Sequence, residues 1–267
     1  MANSTPPDSP GSKIDITVPH SARIWNYWIG GKDHYPADRE AGDAYAEIFP
    51  RITELARVSR YFLARVVGYL AEAGIRHFLD IGTGLPTVEN THQVAQRVAP
   101  ESRIVYVDND PMVLSHARAL LTSSPQGSCD YLDADLRDPD TILGQAAAVL
   151  DFGRPVALML MGIMGHIDDQ AAYPIVRRLA DGLSSGSYLA LYDGSNVNDA
   201  FNKAQDGYNE TGAAPYYLRS PAQIARFFDG LDLVEPGVVP CSRWRPQASP
   251  FGAPAEVEVF GGLARKP

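Results

Sequence analysis

The chain has 267 residues, 45% hydrophobic and 21% charged, and a formal net charge of −9. That length suits one large domain, or a domain plus a small extension, around a substantial core. The acidic balance disfavours nucleic acid as the main partner, and two cysteines, Cys129 and Cys241, are too few for a disulfide scaffold or a zinc cluster. The longest apolar run, residues 156–164, is about half of the ~20 residues that a membrane span needs.

Residues 1–18 are polar and proline-rich, lack a signal-peptide core, and read as a flexible arm on a cytoplasmic protein. Residues 19–51 read as a helical extension. Ser21 can cap a short helix with Ile24, Trp25 and Trp28 on one face, and Gly30-Gly31 ends it. The aromatics Trp25, Tyr27, Trp28 and Tyr35 fit either a staple onto the core or a lid over a ligand mouth. A lid would contribute Tyr27, Lys32, Asp33 or Arg39. The main domain is expected over residues 52–267. It opens with an amphipathic helix over 52–73, in which Leu55, Val58, Phe62, Val66 and Leu70 keep spacings of three and four. Gly74 stops that helix ahead of a first strand over 76–81.

The first strand runs into Asp80-Ile81-Gly82-Thr83-Gly84 and then a helix over about 86–98, with Val88, Val94 and Val98 inward. Strands and helices then alternate. Further strands are expected over 103–107, 129–132, 155–161 and 186–192. Asp110-Pro111, Asp138-Pro139 (or Asp140) and Asp168 or Asp169 open the intervening helices. Pro174 kinks the last of these or marks a later start. Residues 194–219 are polar, with a helix and an irregular loop. Ser220-Pro221-Ala222-Gln223 is a capping-box helix start, and strands over 231–234 and 257–263 follow. The pattern predicts an α/β, Rossmann-like fold: a seven-stranded, mostly parallel sheet with helices on both faces and an antiparallel C-terminal hairpin.

In such sheets ligands bind beyond the carboxyl ends of the strands. Gly82 and Gly84 allow a tight turn and close backbone approach, although Gly-x-Gly by itself arises easily among 23 glycines. The second strand ends at Asp108, 24 residues beyond Gly84, where a carboxylate can accept both hydroxyls of a ribose. The third ends near Asp135 and Leu136, which suit an adenine amino group and its apolar face. The fourth ends at Met161-Gly162, a soft apolar edge. Three strand-end aspartates in succession are far more specific than any one, since a lone strand-end aspartate is more often a helix cap. Asp80 at the head of the loop would repel a pyrophosphate but attract the cations of S-adenosylmethionine. The third glycine of a dinucleotide fingerprint is also missing, its place being taken by Thr87.

Ala22 to Asp33, Phe78 to Thr87, Val105 to Pro111 and Arg219 to Leu231 resemble an actinobacterial family of class I S-adenosylmethionine-dependent methyltransferases, formerly a domain of unknown function. The resemblance runs from about Ser21 to the end. It implies Asp80, Gly82 and Gly84 at the methionine end of the cofactor, Asp108 and Asn109 at the ribose, and Asp135 and Leu136 at adenine. The fourth strand here ends Ile163-Met164-Gly165-His166, where relatives often carry a Leu-His pair.

Methyl transfer needs an aligned nucleophile and exclusion of water, and a general base only when the acceptor is protonated. His166 and Asp33 are the candidates for that base, with Tyr27 a further one. No Asp/Asn-Pro-Pro-aromatic run follows the fourth strand, which argues against methylation of nucleic-acid bases, and no metal site is expected. A small-molecule acceptor is the expectation. The alternatives are a non-catalytic S-adenosylmethionine sensor, which would lack an acceptor pocket, and an NAD-dependent oxidoreductase.

Overall fold

The computed structural model describes residues 14–87, 89–120, 122–248, 250 and 252–267, with backbone only at 117–120. Residues 1–13 of the expected arm lie outside it, as does Val88. Two short helices come first, α1 (Ser21–Trp28) and α2 (Pro36–Ile48), then the long α3 (Ile52–Glu72). The helix α2 was not singled out by spacing. Pro36 occupies its first turn, and the Asp38 carboxylate accepts the Tyr35 N–H at 2.8 Å.

Strands β1 (His77–Ile81), β2 (Arg103–Asp108), β3 (Ser128–Asp133), β4 (Val156–Met161) and β5 (Tyr188–Gly194) are parallel. Between them lie α4 (Thr91–Val98), α5 (Pro111–Leu120), α6 (Pro139–Ala146) and α7 (Asp169–Asp181). After β5 come α8 (Asp199–Asn209), α9 (Pro221–Ala225) and the strands β6 (Asp232–Leu233), β7 (Val239–Pro240) and β8 (Val259–Arg265). The sheet order is β3-β2-β1-β4-β5-β8-β6, with β7 pairing to β8. Among the described residues the sheet therefore has eight strands where the pattern predicts seven. The extra one, β7, is two residues long and includes a proline, so it leaves no periodic signal. β8 is antiparallel to both β5 and β6 and lies between them.

Successive strand residues feed opposite faces. Phe78, Ile104, Tyr106, Ala157 and Met159 pack towards α3 and the N-terminal helices. Leu79, Val105, Val107, Leu158 and Leu160 pack towards α6, α7 and α9. This two-sided burial explains why β4 reads as an unbroken apolar run.

Two helix expectations are corrected. α4 starts at Thr91 rather than near Pro86, because Asn90 is its cap. Asn90 donates its N–H to Gln93 Oε1 at 2.9 Å and accepts the Thr87 N–H at 3.0 Å, leaving Pro86 and Thr87 to the glycine loop. Val98 faces solvent, at 43% exposure, rather than the core. The Asp110 and Asp138 starts are present, and Asp168, not Asp169, caps α7. Pro174 lies within α7.

Candidate active site

The parallel strands end at a common edge, where a cavity of about 280 Å³ opens. The switch in strand order falls beside β1, whose neighbours are β2 and β4. Asp80, Gly82, Gly84, Asp108, Asn109, Asp135, Leu136, Met161 and Gly162 all line this cavity.

Asp80 lies within β1 and follows the parity of Phe78, towards the α3–α4 layer. Its Oδ2 accepts the Thr91 hydroxyl at 2.6 Å. Burial pushes its carboxyl up to about 6, with Thr91 and Arg60 opposing. At Gly82 the φ of 73° favours glycine, and a Cβ would collide with the Ile163 side chain. Gly84 has φ 62°, and its N–H donates to Asp108 Oδ2 at 3.0 Å. Asp108 Oδ1 accepts the Asp110 N–H, also at 3.0 Å. Both backbone bonds favour the Asp108 carboxylate, but burial outweighs them and raises its pKa.

Asp135 is half exposed, with Asn109 Nδ2 at 3.4 Å and the Arg137 N–H at 2.8 Å. Arg137 also donates to the His166 carbonyl at 3.1 Å, tying the ends of β3 and β4 together. Leu136 beside it is buried. Gly162 has φ 78°, and a Cβ there would sit 2.9 Å from the Tyr192 ring.

His166 occupies a single 3-10 turn over Met164–His166 and lines the cavity. Its Nδ1 lies 2.9 Å from the Pro215 carbonyl, which can only accept. Nδ1 therefore carries the proton and Nε2 a lone pair. Burial lowers the imidazole pKa, which favours the neutral form.

Tyr27, Lys32 and Asp33 are not among the residues that line the cavity. Tyr27 donates to Asp43 at 2.6 Å, and Asp33 lies 4.0 Å from His116. The extension reaches the cavity instead through Trp25, Asn26 and Trp28, and α3 contributes Arg60. Arg60 donates to the Glu89 carbonyl at 3.1 Å. Trp25 and Tyr27 stand two positions apart on a helix, about 200° of rotation, so only one of them can face inward. The amphipathic stripe that marked Trp25 and Trp28 as the inner face was the available signal. For Arg60 there was none, since its place depends on how α3 packs.

A buried frame supports the β4–β5 side. Asp193 and Arg219 are 0% and 1% exposed. Arg219 reaches Asp193 at 3.4 Å, Asp169 at 2.8 Å, and the carbonyls of Met164 and Ile167 at 2.8 and 2.6 Å. Tyr216, a cavity residue, donates to Asp193 at 3.1 Å. Asp169, read as an alternative helix cap, serves this frame.

A parallel sheet closed by an inserted antiparallel strand, with acids in or just beyond the last residues of its first three strands, defines a class I S-adenosylmethionine-dependent methyltransferase. The S-adenosyl methyltransferase family model matches residues 7–267, and the chain belongs to that family. It is similar to the crystal structure of a DUF574 family protein from Streptomyces avermitilis, at 46% identity and TM-score 0.90, covering 95% of this chain and 99% of that one. A Thermobifida fusca protein provisionally described as a methyltransferase is similar at 40% identity and TM-score 0.86, with 94% and 96% covered. The mitomycin 7-O-methyltransferase MmcR shares the fold, at 17% identity and TM-score 0.54, over 91% of this chain and 60% of that one. No match was found among curated proteins. The cofactor is S-adenosyl-L-methionine, which sets aside the nicotinamide alternative.

Proposed function

We propose that the protein transfers the methyl group of S-adenosylmethionine to a small-molecule acceptor, and that the strand-end residues hold the cofactor. The carrying observation is one cavity that joins the three aspartates to an uncharged chamber under the N-terminal helices. The donor set fits the cofactor. Asp80 supplies negative charge for the α-ammonium, and Arg60, in the same cavity, supplies positive charge for the carboxylate. Gly82 and Gly84 bring the backbone close. Asp108, with Asn109 beside it, accepts the ribose hydroxyls. Asp135 meets the adenine amino group while Leu136 covers its face, and Met161 and Gly162 form the opposite edge.

When bound, S-adenosylmethionine supplies a methyl activated by its sulfonium, leaving a neutral thioether on transfer. The protein's part is to align the acceptor and exclude water. Neutral His166 can take the acceptor's proton at Nε2 while Nδ1 stays bonded to Pro215. The chamber supports a catalyst over a sensor, which needs no room beyond the cofactor. The net charge of −9 supports a small molecule over a nucleic acid.

Asp108→Ala tests the assignment. Loss of two charge-assisted bonds should weaken S-adenosylmethionine binding by about 10-fold or more in calorimetry. Unchanged affinity would refute the ribose role.

A further inference from the structure

The cavity has two chemically distinct ends. Its charged side chains, Asp80, Asp108, Asp135, Arg60 and Arg137, come from the strand ends, their loops and α3. Every lining residue contributed by α1, α2, α8 and β8 is uncharged. Aromatic contacts run along this second end. Trp28 meets Tyr45 with ring centroids 5.0 Å apart, and Tyr45 meets Phe201 at 6.1 Å. Trp28 is anchored through its indole N–H to the Gly42 carbonyl at 3.2 Å, and Tyr45 through its hydroxyl to Gln205 at 3.3 Å. Such a wall is rigid and offers ring edges and faces.

Within this end, Tyr208 lines the cavity at 8% exposure, and its hydroxyl has no hydrogen-bond partner. The Ser21 hydroxyl, which also lines the cavity, makes only a long contact with it. A buried phenol without a close partner is unfavourable, and a ligand oxygen would satisfy it. The same environment penalises any ionised ligand, since no opposite charge lines this end.

We infer that the acceptor is an uncharged, ring-bearing molecule that packs on the Trp28–Tyr45–Phe201 wall and places an oxygen against the Tyr208 hydroxyl. This rests on the methyltransferase reading and specifies its substrate class. Tyr208 is protonated at neutral pH, because burial pushes its hydroxyl up to about 12. It therefore donates to the ligand oxygen. Deleting the hydroxyl leaves the ring wall in place, so shape and polarity can be separated.

The test uses the full chain with 2-naphthol and naphthalene-2-carboxylate as probes, titrated by ligand-observed NMR with and without S-adenosylhomocysteine. Calorimetry with S-adenosylhomocysteine comes first, so failure of the cofactor reading would show there and not in the probe arms. The expected result is saturable binding of 2-naphthol, at least 10-fold tighter than the carboxylate. Tyr208→Phe should weaken 2-naphthol by about 5- to 10-fold, the effect of one neutral hydrogen bond, while S-adenosylhomocysteine affinity stays within twofold. Equal or tighter binding of the carboxylate, no saturable 2-naphthol binding, or an unchanged 2-naphthol affinity in Tyr208→Phe would overturn it.

Discussion

Asp80 is an interior strand residue whose side chain turns into the helix layer, and this sets how it responds to pH. Its carboxyl is raised to about 6 in the ligand-free protein, so acid keeps it neutral. The ionised form attracts the cofactor ammonium. S-adenosylmethionine affinity should therefore fall as pH drops below about 6, by up to about tenfold per unit, and level off above it. Calorimetry from pH 5 to 8 checks this, and Asp80→Asn should bind more weakly with a flat profile. Because the fold favours the neutral carboxyl, ionisation lowers stability as pH rises from the unfolded value towards 6. Asp80→Asn should accordingly raise the melting temperature of the ligand-free protein at pH 8. Gly82→Ala acts through shape. It meets Ile163 and a φ of 73°, so it should cost about 1–3 kcal/mol in a denaturant melt and weaken cofactor binding. Asp80, Asp108 and Asp135 were legible because strand periodicity sets where strands end. Arg60, Gln205 and Tyr208 were not, since each reaches the cavity through packing of a helix whose local pattern reports only its buried face.

Among the elements, α1 and α2 depend on one buried ion pair. Arg23 and Asp38 are 3% and 0% exposed and 2.9 Å apart. Asp38 also accepts the His20 N–H at 2.9 Å, and Arg23 donates to the carbonyls of Asp15 and Val18 at 3.1 and 2.6 Å. One pair thus joins both helices to the segment before them. Asp38→Ala leaves a buried guanidinium without its carboxylate and should cost about 3–5 kcal/mol in a urea melt. The double variant Arg23→Met/Asp38→Leu should recover part of that loss. Neither role is visible in the sequence, because Arg23 and Asp38 lie 15 residues apart, beyond any local pattern, and α2 lacks a preferred cap residue. The α9 start differs: Ser220 and Gln223 make their capping box as the local pattern predicted, because both partners lie within one turn.

At the scale of the molecule, the N-terminal helices serve the core and the cavity together. Ile24, Trp28 and Tyr45 belong to the same buried cluster as Phe62, Val66 and Tyr192. Removing residues 1–48 should lower the urea midpoint of the remaining domain, since each such side chain contributes ~1.5–3 kcal/mol through burial. Trp244, fully buried against Phe62, stays in the truncated chain and reports its unfolding by fluorescence. An unchanged midpoint would show that these helices only cover the site. Among the described residues, no helix is long and apolar enough to cross a membrane.

The position of β8 has a consequence for biosynthesis. This strand follows the rest of the sheet in the chain, yet its slot is internal, beside β5. While a ribosome makes the chain, β5 remains an open edge until residues 259–265 emerge, and β6 has no partner to dock on. Such an edge invites pairing with other nascent chains. Closure of the sheet, and with it completion of the β5 side of the cavity, therefore waits until every other strand has been made.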